Sequence, residues 1–385
     1  MRALMISPQG SGVGYYRFKV PHDALKVGMD VKLWFVPESD DPQQTAERMF
    51  KMIGEGYDIV HCGYMTYLPY IEALVAARNR YGVPFVTDID DDILNVPSYN
   101  QAFGAYHASA VNRRLARMHL RVSDAVSVST AALGSMLNEV KTTVLPNLLA
   151  TSDWVSVDEP LNDGAIRVMF AGNLGRAGDL EEVGPAFEYA MRTYPNMRLF
   201  FMNCIPSWAA EWMQDRKDPK ANRAFAIRRC TVETYRAVFL HIQPHIVFAP
   251  VVRNEFNRSK SHIKAYDAAM CKSAFLCTDW DTYTDVPTRA AIKVTGESQW
   301  KEALDQLVTD ADLRARLGQR LHDWAVNEWH VDKHVHKWVE LYKRVLSKGP
   351  VSDLSDIVRP GGDDGVVRQN ENSTVDERQT SFKGM

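Results

Sequence analysis

The chain has no hydrophobic run approaching the roughly 20 residues that span a bilayer. No apolar leader precedes its first strand-like segment, so a cytoplasmic protein is expected. Cysteine is scarce and odd in number: Cys62, Cys204, Cys230, Cys271 and Cys277 are scattered, with no CxxC pair. That pattern excludes a disulfide framework and a zinc knuckle, and predicts reduced thiols within apolar runs. A charge surplus is also missing, since 45 Lys and Arg face 48 Asp and Glu for a net charge of -3. No global field therefore draws the protein to nucleic acid or to an anionic membrane, although a local basic patch stays open. There is no repeat of solenoid period, and residues 347–385 are polar, rich in Gly and Asp and nearly free of aromatics. Such a segment cannot bury enough apolar surface to offset its ordering entropy, which predicts a disordered tail.

What is present is an ordinary globular composition, 45% hydrophobic and 10% aromatic, over 385 residues, enough for two domains. Strand-like runs at 2–7, 31–36, 57–62, 83–89, 125–129 and 142–145 alternate with helical patterns ending at 25 and covering 42–53, 68–80 and 106–122. That alternation predicts a doubly wound parallel sheet with its ligand at the carboxyl ends of the strands. A polar stretch at 150–164 reads as a linker, giving a first domain at 1–150 and a second at 160–330. The second domain repeats the pattern, with strands at 166–171, 197–202, 245–252, 273–278 and 292–295. Helices are predicted at 179–192, 298–308 and 312–328. A closing helix at 331–346 completes the chain, in a region bearing Trp324, Trp329 and Trp338.

The most informative stretch is 245–283, HIVFAPVVRNEFNRSKSHIKAYDAAMCKSAFLCTDWDTY. Two apolar runs flank a polar, basic turn, and the spacing predicts a helix over 259–271. Ile263, Tyr266 and Met270 would share an apolar stripe, with Lys260, Lys264 and Asp267 on the neighbouring one. Ser259 or Ser261 would cap the helix, whose free N–H groups favour a phosphate. Two ammonium groups there suit a diphosphate, and a carboxylate two turns on can accept hydrogen bonds from a ribose diol. A solvated surface helix explains the same spacing equally well.

The run from Phe256 to Tyr283 resembles the nucleotide-sugar-binding segment of retaining GT-B glycosyltransferases of the family 4 type, FNxxKSxxKxxEYAAxGxPxxxSxxxxY. Phe256, Asn257, Lys260, Ser261, Lys264, Ala268, Ala269 and Tyr283 match it. Asp267 stands where the family has the ribose-holding Glu, Cys271 and Lys272 fill the usual Gly-x position, and Ala274 replaces a common Pro. Ser259 falls where many relatives carry the first Glu of their EX7E signature.

The resemblance implies two Rossmann-like domains facing across a cleft, with the last helix crossing back to the first. It implies a nucleoside diphosphate sugar as donor, no permanently bound cofactor and no metal. Transfer would retain configuration, with Lys260 and Arg176 stabilising the leaving diphosphate. Donor contacts would come from Gly172, Asn173, Arg253, Asn257, Lys260, Ser261, His262, Lys264 and Asp267. In the family the first glycine loop lies across the cleft, which would place Gly12, Gly14 and Arg17 there.

That loop, with its GxGxG spacing, could also hold a phosphate by its backbone, with Glu38 near a ribose. It fails the GxGxxG fingerprint, and a nicotinamide-dependent oxidoreductase is the alternative it keeps open. The acidic run TDIDDDI follows a strand and so points at the cleft. One-residue spacing of carboxylates would suit a hard cation. In a GT-B setting Asp88 and Asp91 would instead meet the acceptor, with Asp90 as the catalytic carboxylate, while Asp92 belongs to the same turn. His330, His334 and His336 lack an HExxH arrangement and read as a surface set. The acceptor stays open among glycan, lipid, protein and modified nucleic acid, as does the oligomeric state. A nucleotide-sugar-binding protein whose catalytic half has decayed is the non-enzymatic alternative, given Ser259 and Asp267.

Overall fold

Two parallel sheets of six strands each organise the chain. The computed structural model describes residues 1–37, 41–105, 108–155, 161, 163–213, 223–228 and 230–349. All of these fall within one unit, Met1–Ser352. Glu38 and nearly all of the expected tail lie outside the described residues.

The first sheet contains β1 (Arg2–Ser7), β2 (Asp30–Phe35), β3 (Ile59–Gly63), β4 (Phe85–Ile89), β5 (Ala125–Val128) and β6 (Thr142–Val144), in spatial order β2-β1-β3-β4-β5-β6. Every residue of β3 and β4 is buried. Such continuous runs are the signature of a sheet covered on both faces, which is why parallel pairing follows. The covering helices are α1 (Val20–Leu25), α2 (Pro42–Ile53), α3 (Leu68–Tyr81), α4 (Ala110–Val122) and α5 (Ala131–Met136). A wide helical turn, Gly14–Lys19, leads into α1. Helix α4 begins later than the predicted residue 106 because Ser109 caps it, accepting from the Asn112 N–H at 3.2 Å.

The second sheet contains β7 (Ile166–Ala171), β8 (Met197–Met202), β9 (Ala224–Ile227), β10 (Ile246–Ala249), β11 (Ala274–Thr278) and β12 (Ala291–Val294), in order β12-β11-β10-β7-β8-β9. The predicted 179–192 helix is two helices, α6 (Ala177–Glu181) and α7 (Gly184–Thr193), because Pro185 can start a helix but not continue one. Strand β9 and helix α8 (Val232–Ile242), which begins at a Thr231–Thr234 capping box, fill a region where the sequence pattern assigned nothing.

The predicted 259–271 helix is helical only over α10 (Ile263–Met270), and a separate short helix, α9 (Glu255–Arg258), precedes it. Asn254 caps α9, while the Ser259 hydroxyl turns back to the Phe256 carbonyl at 2.7 Å. Ser side chains compete with helical bonding in this way. The cap of α10 is His262 and uses no side-chain hydrogen bond, so neither serine caps it.

Helices α11 (Glu297–Thr309) and α12 (Ala311–Trp329) pack on the second sheet; α13 (Val331–His334) and α14 (His336–Lys348) return to the first. Trp338, Leu341, Tyr342 and Val345 of α14 share a core with Met5, Ile59, Val86 and Leu145. Among the described residues no helix is long and apolar enough to cross a membrane.

Candidate functional site

The strand order reverses at β1/β3 in one sheet and at β7/β10 in the other. Ligands of doubly wound sheets bind at such switch points. Residues after β4, β5 and β6 of the first sheet meet residues after β10 of the second directly. The Lys260 ammonium donates to Asp91 Oδ1 at 2.8 Å, and the Thr130 hydroxyl donates to the Ser259 carbonyl at 2.7 Å. Asn147 Nδ2 donates to Asp90 Oδ1 at 3.1 Å and to Ser261 Oγ at 2.7 Å. Lys260, Ser261, Asp90 and Asp91 are thus brought together, by Asn147 and Thr130, which sequence reasoning missed. Burial pushes the Asp90 carboxyl up, against the pull of Arg17.

Arg17 and Asp88 do not line the cleft as free charges. Arg17 is fully buried and forms a two-pronged pair with Asp88, Nε to Oδ1 at 2.8 Å and Nη2 to Oδ2 at 2.6 Å. Its Nη1 donates to the Leu145 carbonyl at 2.5 Å and to Asn147 Oδ1 at 3.1 Å. Asp88 also accepts from Ser127, which contacts His61, and His61 in turn contacts Tyr342 of α14 at 2.8 Å. Burial alone would raise the Asp88 carboxyl, but the Arg17 charge outweighs it and holds the group well below the carboxylate range. This pair ties the first sheet to the returning helix, a structural use of residues expected at donor and acceptor.

Gly14 is held by packing, since a Cβ there would collide with the Gln9 carbonyl, whereas Gly12 has open space around it. After β7 of the second sheet a Cβ at Gly172 would lie 2.8 Å from the Phe170 ring, and Asn173 caps the following turn by accepting from the Gly175 N–H at 3.0 Å. Arg176 pairs with buried Asp179 at 2.9 Å and donates to the Pro250 carbonyl at 3.0 Å. Asp179 Oδ1 accepts from the Val252 N–H at 2.7 Å and from Asn257 Nδ2 at 3.0 Å, so Asn257 and Asp179 knit the two loops together. Arg253 is exposed, its guanidinium 5.8 Å from the centre of the Trp280 ring.

His262 does not face the cleft as a polar contact. It is buried among Tyr266, Trp324 and Trp329, with Nε2 3.0 Å from the Tyr266 hydroxyl, and burial drives its pKa down to about 3. Lys264 and Asp267 remain neighbours at 3.6 Å, but Asp267 is only 1% exposed and Lys264 is mostly covered. Burial moves Asp267 up and Lys264 down, each toward its neutral form. Asp267 Oδ2 accepts from the Tyr235 hydroxyl at 2.7 Å, while Oδ1 is buried with no hydrogen-bond partner among the described residues. Arg236 lies 4.0 Å over the Tyr15 ring, and Tyr15 donates to Asp153 at 2.7 Å. Tyr235 and Arg236 escaped sequence reasoning because α8 did.

Among the described residues no group of His, Cys, Asp and Glu is placed to hold a metal ion. All five cysteines are free; Cys62, Cys204 and Cys277 are buried.

Two six-stranded parallel sheets joined this way, with a last helix returning to the first, are the GT-B fold. HepE of Anabaena, solved with UDP and glucose, is similar to 89% of this chain and 100% of its own at 11% identity and a TM-score of 0.63. AviGT4, a glycosyltransferase involved in avilamycin A biosynthesis, matches over 91% and 99% of the two chains at 14% identity and a TM-score of 0.58. A Listeria monocytogenes protein named for a UDP-N-acetylglucosamine 2-epimerase matches over 90% and 98% at 11% identity and a TM-score of 0.55. No protein-family model matches the sequence, and no curated protein matches it.

Proposed function

We propose that the protein is a glycosyltransferase that moves a sugar from a nucleoside diphosphate donor, held on the second-domain side of the cleft, to an acceptor on the first-domain side. The observation that carries this reading is the orphaned Asp267 Oδ1. A buried carboxylate oxygen without a donor costs free energy, and a ribose hydroxyl would satisfy it. Support comes from the sequence resemblance around it and from the UDP bound by HepE.

Lys260, once released from Asp91, and Arg176 would then stabilise the charge developing on the diphosphate as the sugar leaves. A cationic clamp of this kind would stabilise the leaving group without a metal, and the family resemblance around Lys260 implies front-face, retaining transfer. Asp90, whose carboxyl burial makes easier to protonate, would face the acceptor hydroxyl with Asp91. Arg253 would reach the donor from the rim. Glycan, lipid, protein and modified nucleic acid all remain acceptor classes to assay. The dinucleotide alternative would load the first glycine loop, where Gly14 is already packed against Gln9.

The test is thermal stability in the presence of UDP, GDP, ADP or NAD, because a ligand of the folded state raises stability by RT ln(1 + [L]/Kd). A nucleoside diphosphate is expected to raise the melting temperature; a rise with NAD alone overturns the reading.

A further inference from the structure

One segment of the first domain sits where the proposed donor would lie. Residues 97–103 form a self-bonded turn in which the Asn100 N–H donates to the Pro97 carbonyl at 3.0 Å and the Phe103 N–H to the Asn100 carbonyl at 2.9 Å. The Asn100 side chain adds a bond from the Ala102 N–H at 2.9 Å. The turn then projects onto the second domain. The Tyr99 hydroxyl accepts from Asn254 Nδ2 at 2.9 Å and from Asn257 Nδ2 at 3.2 Å, and Asn100 Nδ2 donates to the Gly175 carbonyl at 3.3 Å.

The glycine loop is shaped for this contact. A Cβ at Gly178 would lie 2.8 Å from the Tyr99 ring, and one at Gly175 would lie 2.9 Å from Asn100 Nδ2. Both distances are too short for any real side chain, so the two glycines are spaces that Tyr99 and Asn100 fill. These glycines and Asn257 belong to the loops assigned above to the diphosphate. On the same side, Lys260 is held by Asp91.

We propose that residues 97–103 are a gate that covers the diphosphate loops and must leave before a nucleotide-sugar can bind. The inference rests on the donor reading of the cleft. Its arithmetic follows from population: apparent affinity is the intrinsic affinity multiplied by the fraction of molecules with the gate open. A gate open in about one molecule in ten weakens binding about tenfold.

The experiment is a calorimetric titration of UDP, GDP and ADP separately into wild type, Tyr99→Ala, Tyr99→Phe and Asn100→Ala, with melting curves to certify each fold. The nucleotide that binds is then added to wild type for amide exchange. The gate predicts that Tyr99→Ala binds several-fold to tenfold tighter, with Tyr99→Phe between it and wild type, and that exchange in 97–103 speeds up on binding. If Tyr99→Ala does not fold, Tyr99→Phe and Asn100→Ala carry the same ordering. Equal or weaker binding by the variants, or slower exchange in 97–103, overturns the gate while leaving the donor reading standing. Absence of binding by every protein overturns the donor reading and the gate with it.

Discussion

Lys260 Nζ and Asp91 Oδ1 lie 2.8 Å apart although one follows a strand of the second sheet and the other a strand of the first. The Lys260 side chain is 17% exposed and that of Asp91 41%, so solvent screens the pair and its own contribution to stability is modest. Its importance lies in what the lysine is free to do. An ammonium paired with a partly exposed carboxylate and resting 4.3 Å from the centre of the Phe256 ring can be traded to a diphosphate more readily than one buried in a salt bridge.

Binding should follow that trade. Asp91→Asn is expected to tighten nucleoside diphosphate binding, and Lys260→Ala to weaken it about tenfold or more, the scale of a charge-assisted hydrogen bond. Titration calorimetry with the diphosphate that stabilises the wild type checks both. Matching affinities for all three proteins would show that Lys260 does not meet the phosphates.

Arg17 and Asp88 make the opposite case, a buried pair with no solvent to screen it. Arg17→Met or Asp88→Asn leaves one side of the pair without its counter-charge and should cost about 3–5 kcal/mol. The double replacement should cost less than the sum. Urea denaturation of the single and double variants measures this, and a loss within about 1 kcal/mol for either single would contradict the assigned role.

Lys272 adopts a left-handed backbone with φ of 51°, at the position where the resembling family carries glycine. Its side chain is exposed, so no side-chain packing offsets the strain. Lys272→Gly should therefore stabilise the protein by about 0.5–1 kcal/mol, the left-handed penalty less the extra freedom of glycine in the unfolded chain. A lower melting temperature for the variant would refute this.

Stability should fall with acid from near neutrality. Burial holds His119 neutral down to a pKa of about 4, and His262, caged by aromatics near Lys293, down to about 3. Unfolding returns both to about 6.5, so below that pH the unfolded state binds more protons. The stabilisation is complete above about 6.5 and is lost as pH drops toward 4 and then 3, at about 1.4 kcal/mol per pH unit for each histidine. His262→Phe should remove about one proton from the slope between pH 6 and 4. An unchanged slope in denaturation curves across that range would show that His262 is already charged in the folded protein.

Much of the architecture follows from local pattern. Continuous apolar runs such as IVHCG and FVTDI read as buried parallel strands, and in the structure they are buried at every position. The AFAI strand was missed because its four residues are too few to show a period, and α8 because no strand marked its start. The late start of α10, after Ser259–His262, was missed for another reason. The helical period continues through 259–271, but the Ser259 hydroxyl and the burial of His262 take those residues out of the helix.

The sequence by itself determined the two alternating series of strands and helices, because one-dimensional periodicity dictates which faces must be buried. It also determined which side chains crowd the 256–267 segment. It could not say whether a charge there would be free, since that depends on what comes from far away along the chain. Arg17 finds Asp88 across 71 positions and Lys260 finds Asp91 across 169. Only the tertiary structure made Arg17 a buried strut and left Lys260 on an exchangeable partner. The physical reason is that burial decides the worth of a charge, and burial belongs to the packed chain rather than to any one stretch of it.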